Sequence, residues 1–283
     1  VQMKRILLPL FVTLPLLALE PEAIGEQFEG KGVRASLLSE ASTIVPGQAF
    51  AVALVLSHQP GFHTYWKNPG TVGMPTDIRW KLPEGFEAGQ IVWQPPERSK
   101  MFKYDVYGYE ANATLLTEIK VPANLPAKPI LLQAKASWMA CNDSSCNPGY
   151  HTFEIRLPVG EKTIWDPKVK QLVRDARSRI PAPLPDLRAK AESRGGKVRL
   201  RIEGNAIDDL RGEPELHFFS TLNHYEVDAR QKIRIKQNTL TITLTKADYA
   251  PDKIEGVEGV LRFPANWPGG KGRPHAFIAA KLD

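Results

Sequence analysis

The sequence predicts an all-β protein built as two β-sandwiches with one short helix and a proline-rich connector between them. Three observations lead there. Short apolar runs, many alternating, recur along most of the 283-residue chain. The 24 prolines and 21 glycines gather between those runs, where turns belong. Only one stretch, near the middle, has apolar residues at helical spacing.

In the first half, Val33–Leu38 and Ala49–Leu56 predict two strands around the turn Val45-Pro46-Gly47-Gln48. Further strands are expected at Asp77–Leu82, Gly89–Trp93, Ala113–Val121, Ile130–Trp138 and Tyr150–Leu157. So many short strands over residues 26–160 predict an immunoglobulin-like sandwich. The Cys…Trp…Cys spacing of antibody-type domains is missing.

Residues 161–186 change character. Asp166-Pro167 offers an N-cap followed by proline at the first helical position. Val169, Leu172, Val173 and Ala176 then recur on one helical face. Pro181, Pro183 and Pro185 end the helix and stiffen a connector. From 187 to 283 the alternation returns, in Val198–Ile202, Leu216–Ser220, Leu240–Leu244, Gly259–Phe263 and His275–Leu282. A second, smaller immunoglobulin-like sandwich, free of cysteine, is expected there.

The N-terminus predicts export. Lys4 and Arg5 precede the apolar run Ile6–Leu19, and Ala23-Ile24-Gly25 offers a small-residue cleavage site. Residues 1–25 are therefore expected to be a signal peptide. The run is short and holds Pro9 and Pro15, so it does not predict a membrane span, and no spanning run follows it. The expected compartment is the periplasm, where disulfides persist. The net charge of +6 is spread along the chain without a block of like charges. No helix-turn-helix, RNA-binding or zinc-finger pattern accompanies it, so nucleic acid is not an expected partner. Phosphate-loop, G-x-S-x-G and H-E-x-x-H motifs are also missing, and the carboxylates Glu84, Glu87, Glu97 and Glu110 are scattered.

The only cysteines, Cys141 and Cys146, lie between two expected strands. Three readings are open from the residues alone. A turn that brings the Cα atoms within about 7 Å would allow a disulfide that staples the hairpin. So short a loop would contribute about 2 kcal/mol. The pair could instead cycle between dithiol and disulfide by exchange with a partner. C-x4-C is not the C-x-x-C redox signature, so the spacing alone does not decide. The two thiols with His63, His151 or Met139 could hold a soft metal such as Cu(I) or zinc. No Lys, Arg or His lies between the cysteines, and Asp143 there disfavours a thiolate.

A family resemblance narrows the choice. It is carried by Gly61-Phe62-His63-Thr64-Tyr65-Trp66-Lys67-Asn68-Pro69-Gly70, Gly73-Met74-Pro75-Thr76, Trp80 and Leu82-Pro83-Glu84-Gly85-Phe86. It continues through Trp93-Gln94-Pro95-Pro96-Glu97-Arg98, Tyr107-Gly108-Tyr109-Glu110, Ser137-Trp138-Met139-Ala140-Cys141 and Cys146-Asn147-Pro148-Gly149. Over residues 33–159 the chain resembles the N-terminal periplasmic domain of the thiol:disulfide interchange protein DsbD, in particular its ScsB-like branch. From Glu213-Pro214 onward it resembles, more weakly, the second sandwich of ScsB-like N-terminal regions. The resemblance implies an immunoglobulin-like domain in which Cys141 and Cys146 form the redox pair. That pair would take electrons from a membrane-embedded thiol donor and pass them to periplasmic thioredoxin-like or other disulfide proteins. In the family an aromatic-bearing loop caps the pair, which assigns Met101, Phe102 and Tyr104, within Glu97–Tyr107, as cap residues. The aromatic stretch Phe62–Trp66 is expected to be scaffold. No cofactor or metal is implied. The membrane and thioredoxin-like domains of full-length members have no counterpart in this sequence, so the donor is expected to be a separate protein. The alternative is a non-catalytic interaction or copper-handling module with a structural disulfide.

Overall fold

The computed structural model describes residues 24–282. Most of the expected signal peptide lies outside the described residues. Of its last two residues, Ile24 lies just before the first strand and Gly25 begins it.

The first half contains strands β1 Gly25–Glu29, β2 Val33–Ser39, β3 Ala41–Thr43, β4 Phe50–His58, β5 Thr64–Gly70, β6 Asp77–Lys81 and β7 Glu87–Ala88. It continues with β8 Glu97–Met101, β9 Tyr104–Tyr109, β10 Ala113–Lys120, β11 Ile130–Cys141, β12 Cys146–Leu157 and β13 Ile164–Trp165. One layer is the five-stranded sheet β1-β2-β4-β10-β7, and the opposing layer is β12-β11-β6. The strand pairs within each are antiparallel. Between them, Val33, Ala35 and Leu37 of β2 meet Leu132, Ala134 and Ala136 of β11 in one buried cluster. The alternation of these residues is what makes one face of each strand apolar. A third sheet, β5-β9-β8, stands beside this sandwich.

Helix α1, Pro167–Ser178, starts where the sequence predicts. The Asp166 carboxylate accepts the Val169 N–H at 2.8 Å. Its apolar face, Val169, Val173 and Ala176, packs on Ala51, Ala53 and Leu116 of the first sandwich. The proline-rich segment after it is tied to the second half: Leu184 enters the second core, and the Phe277 N–H donates to the Ala182 carbonyl.

The second half holds β14 Arg188–Arg194, β15 Lys197–Glu203, β16 His217–Ser220, β17 Lys232–Lys236, β18 Thr239–Thr245, β19 Gly256–Arg262 and β20 His275–Lys281. Sheet β14-β15-β18-β17 faces sheet β16-β19-β20 across Leu200, Ile242, Phe218 and Ile278. Among the described residues the chain is all-β, with two sandwiches and one short α-helix. Among the described residues no helix is long and apolar enough to cross a membrane.

Several local expectations need correction. Gly89–Trp93 is not a regular strand; only Val92 bridges to Leu116, because β7 has already ended at Ala88. The stretch Glu97–Tyr107 is not a loop but the hairpin β8–β9. Strands β14 and β17 fall outside the runs that predict strands in the second half. Both are rich in Lys and Arg, and the apolar side chains that alternate with them are small or only half-buried.

The two halves meet through side chains of β5, β9 and β16. Phe219, Val227 and Val260 of the second half join the core of the first. Asn68 donates to the carbonyls of Ser220 and Leu222 at 2.8 and 3.1 Å. Gly70 lets β5 approach closely: a Cβ there would sit 3.1 Å from Val227, and its φ is +96°.

Candidate functional site

Cys141 ends β11 and Cys146 begins β12, and the two are directly opposed in the register of that antiparallel pair. They form a disulfide, with Cα atoms 4.1 Å apart. The hairpin therefore runs unbroken to the sulfur atoms, beyond the expected strand ends at Trp138 and Tyr150. The four residues that close it are organised by Asn142. Its side-chain oxygen accepts the backbone N–H groups of Ser144 and Ser145 at 3.0 and 2.8 Å. Its own N–H donates to the Ser145 carbonyl.

The two cysteines differ sharply in environment. Cys141 is fully buried, packed with Tyr65, Met101 and Val106, with Met139 alongside. Its backbone is clamped on the other side by His63, each N–H donating to the other's carbonyl at 2.9 and 3.0 Å. Cys146 is exposed.

Two side chains reach Cys146. The Met101 sulfur lies 3.6 Å from Cys146 Sγ. A disulfide sulfur carries no proton, so this is a sulfur–sulfur packing contact. The Tyr65 hydroxyl stands 4.0 Å from the same atom and is the donor toward it. Burial pushes the Tyr65 hydroxyl up to about 12, so it keeps its proton.

The three expected cap residues are placed differently from one another. Met101, 6% exposed, is the one that touches the pair. Phe102 and Lys103 form the two-residue turn that joins β8 to β9. Phe102 is 60% exposed and has φ +52°, a left-handed backbone that a phenylalanine rarely adopts. Tyr104 is half-buried, with the Lys103 ammonium 5.3 Å from its ring centre. The stretch expected to be scaffold divides: Trp66 lies in the sandwich core, whereas His63 and Tyr65 adjoin the cysteines. Nothing in the sequence separates Tyr65 from its neighbour Trp66 except the alternation of strand faces, which sends them to opposite sides.

His63 is 3% exposed, and its Nε2 has no hydrogen-bond partner among the described residues. Burial holds its pKa below the usual histidine value, although Glu110 and Asp143 oppose that shift. It borders a polar cleft of about 500 Å³ shared with Arg98, Lys100, Glu110 and Asp143. His151 stands apart, on β12, where it stacks on Phe28 and pairs with Glu26 at 2.7 Å. Among the described residues no three His, Cys, Asp or Glu side chains are grouped to hold a metal.

The hairpin that brings Met101 to Cys146 is braced by the second sandwich. The Asp105 N–H, in β9, donates to the Asp228 carboxylate, which also accepts from Thr71 at 3.0 Å. The Tyr107 hydroxyl lies 3.0 Å from His217 Nε2, and its ring packs edge-on against Phe219. Arg98 and Lys100 pair with Asp105 on the solvent side, and together they hold its carboxyl below the usual range against the opposing effect of burial.

The family model of the thiol:disulfide interchange protein DsbD, N-terminal, matches residues 34–185, more than half of the chain. No curated protein matches the sequence. Among solved structures, the N-terminal periplasmic domain of ScsB from Proteus mirabilis is similar with a TM-score of 0.66 at 12% identity, over 92% of this chain and 98% of that one. The reduced N-terminal domain of DsbD from Neisseria meningitidis matches with a TM-score of 0.29 at 17% identity, over 48% of this chain and 90% of that one. With both sandwiches matched in fold by the ScsB domain and the family model spanning the disulfide and the β8–β9 hairpin that reaches it, the chain belongs to the DsbD N-terminal domain family of thiol:disulfide interchange proteins.

Proposed function

We propose that this protein is a periplasmic thiol–disulfide exchange protein that passes reducing equivalents through Cys141 and Cys146 to exported disulfide proteins. The observation that carries the reading is the asymmetry of the disulfide, one sulfur buried and the other at the surface. In the reduced protein the exposed Cys146 thiolate attacks a disulfide sulfur of the partner. A mixed disulfide forms and one partner thiolate leaves. Cys141 then loses its proton and attacks Cys146 Sγ. The Cys141–Cys146 bond closes and the second partner thiolate is released. Two electrons have moved to the partner, which gains two thiols. A membrane-embedded thiol donor reverses the change by exchange at the same exposed sulfur.

Met101 shields Cys146 and is the residue we assign as the cap. Tyr65, as a protonated donor, stabilises negative charge on Cys146 when it leaves or attacks. Phe102, exposed at the hairpin tip, and Tyr104 are assigned to contact with the docking partner rather than to cover of the sulfur.

The test is a glutathione redox titration joined to trapping in a periplasmic extract. The expected result is a measurable midpoint, and a mixed disulfide that accumulates in Cys141→Ser but not in Cys146→Ser. A pair that stays oxidised in strongly reducing buffer and yields no adduct overturns the proposal. That outcome would favour the second reading, an interaction module in which the bond only staples the hairpin. The full burial of Cys141 and its position opposite Cys146 in the strand register are what favour that second reading.

A further inference from the structure

Sheet β14-β15-β18-β17 has one face in the second core and one in solvent. The solvent face collects charge in rows. Strand β14 contributes Arg188, Lys190 and Arg194 to it, and β15 contributes Lys197, Arg199 and Arg201. Across the sheet, β17 adds Lys232, Arg234 and Lys236. All nine side chains are exposed. The strand register puts them on one side: Lys190 faces Arg201, and Arg201 and Arg234 both flank Thr241. The carboxylates on this face are Glu192 and Glu203, of which Glu192 pairs with Arg199. The excess on this one face is thus seven positive charges, on a chain whose net charge is +6.

Between the cationic rows runs β18, with the hydroxyls of Thr239, Thr241, Thr243 and Thr245. Thr241 and Thr243 floor a shallow depression of about 530 Å³ walled by arginines and lysines, with Glu192 at its side. Strands lie about 4.8 Å apart and same-face residues about 6.8 Å apart, so the patch spans roughly 15 by 20 Å. Each charge therefore sits within about one Debye length of its nearest neighbours on the patch.

We propose that this face docks the protein on the surface of an anionic phospholipid bilayer. The arrangement favours a bilayer over other polyanions. No aromatic side chain lies on the face, so it lacks the platforms on which single-stranded nucleic acid stacks. No large apolar side chain lies there either, so it lacks the anchor around which protein interfaces form. What remains is a two-dimensional field of cations around neutral hydroxyl donors, matched to a two-dimensional field of phosphate headgroups. Each cation near such a surface strengthens binding about fivefold. The site is remote in sequence from the cysteines, and its docking does not depend on their chemistry.

The experiment is co-sedimentation of the full chain with vesicles of phosphatidylcholine, alone or containing about one-third phosphatidylglycerol. Binding is expected only to the anionic vesicles, weakening as salt is raised. The triple variant Arg201→Gln/Lys232→Gln/Arg234→Gln is expected to bind roughly a hundredfold more weakly. Lys31→Gln/Lys128→Gln/Lys162→Gln, exposed elsewhere on the chain, lowers net charge equally and should bind as the parent does. Unchanged thermal unfolding in both variants establishes that the fold is kept. Equal loss in both variants, or no binding to anionic vesicles at physiological ionic strength, overturns the proposal. So does stronger, face-dependent binding to an oligonucleotide that displaces the vesicles.

Discussion

The sulfur of Met101 rests 3.6 Å from Sγ of Cys146, the exposed half of the disulfide. The contact is made from a hairpin two strands long, so the cover over the cysteine is a piece of sheet rather than a loose loop. Met101→Ala should open that cover. Reduction of the disulfide by dithiothreitol is expected to accelerate several-fold, read by thiol release. The truncation should also cost about 2 kcal/mol in urea unfolding, the lower end for a buried methionine. Phe102→Gly should leave the reduction rate unchanged. It should raise stability by about 1 kcal/mol, because glycine adopts the left-handed backbone found there without strain.

Tyr65→Phe removes the hydroxyl aimed at Cys146 and changes little else in a buried ring. The reduced variant is expected to show a Cys146 thiolate that forms about half a unit higher in pH, followed by ultraviolet thiolate absorbance. An unchanged titration would show that the hydroxyl does not act on the sulfur.

Opening the disulfide chemically tests its structural weight. The closed loop is short, so the reduced protein should be less stable than the oxidised by only about 2 kcal/mol and should stay folded. Circular dichroism during a reductant titration checks this. Wholesale unfolding on reduction would instead make the bond a requirement of the fold.

Acid should loosen the junction between the sandwiches through His217. Burial is the main cause that lowers its pKa to about 3, with Arg98 and Arg262 adding to the effect and Asp105 opposing it. The folded state thus holds a neutral ring beside Tyr107, while the unfolded chain takes up a proton near pH 6.5. Stability from this group is fully present above the unfolded value. It declines as pH falls from about 6.5 toward about 3, by up to about 1.4 kcal/mol per pH unit. His58 and His275, each lowered to about 4, act in the same direction. Urea unfolding at pH 7 and pH 5 should show the loss, and His217→Gln should reduce its slope.

Bracing from the second sandwich reaches the cysteines through Asp228, which accepts the Asp105 N–H and the Thr71 hydroxyl. Asp228→Ala is expected to free the hairpin and speed reduction of the disulfide, by less than Met101→Ala. Amide exchange at Asp105 and its neighbours in β9 should rise in parallel. Faster chemistry without faster exchange would place the effect elsewhere.

Local pattern was enough to read part of the fold and the family. Alternation marked β2, β11 and β15, because a strand with one buried face must repeat every second residue, and compact apolar runs marked β4 and β10, which are buried on both faces over most of their length. Asp166-Pro167 marked the start of α1, because capping is satisfied within one turn. The motifs around Cys141 and Cys146 marked the family. Tertiary structure alone decided what depends on which distant faces meet. It separated Met101 from Phe102, adjacent residues sent to opposite sides by one hairpin turn. It brought Tyr65, from a run that looks like scaffold, to the sulfur of Cys146, 81 residues away. It also turned a charge that is dispersed along the chain into a single cationic face. In β15 and β17 each Lys or Arg is separated from the next by an apolar residue, and only strand pairing stacks those alternate positions side by side.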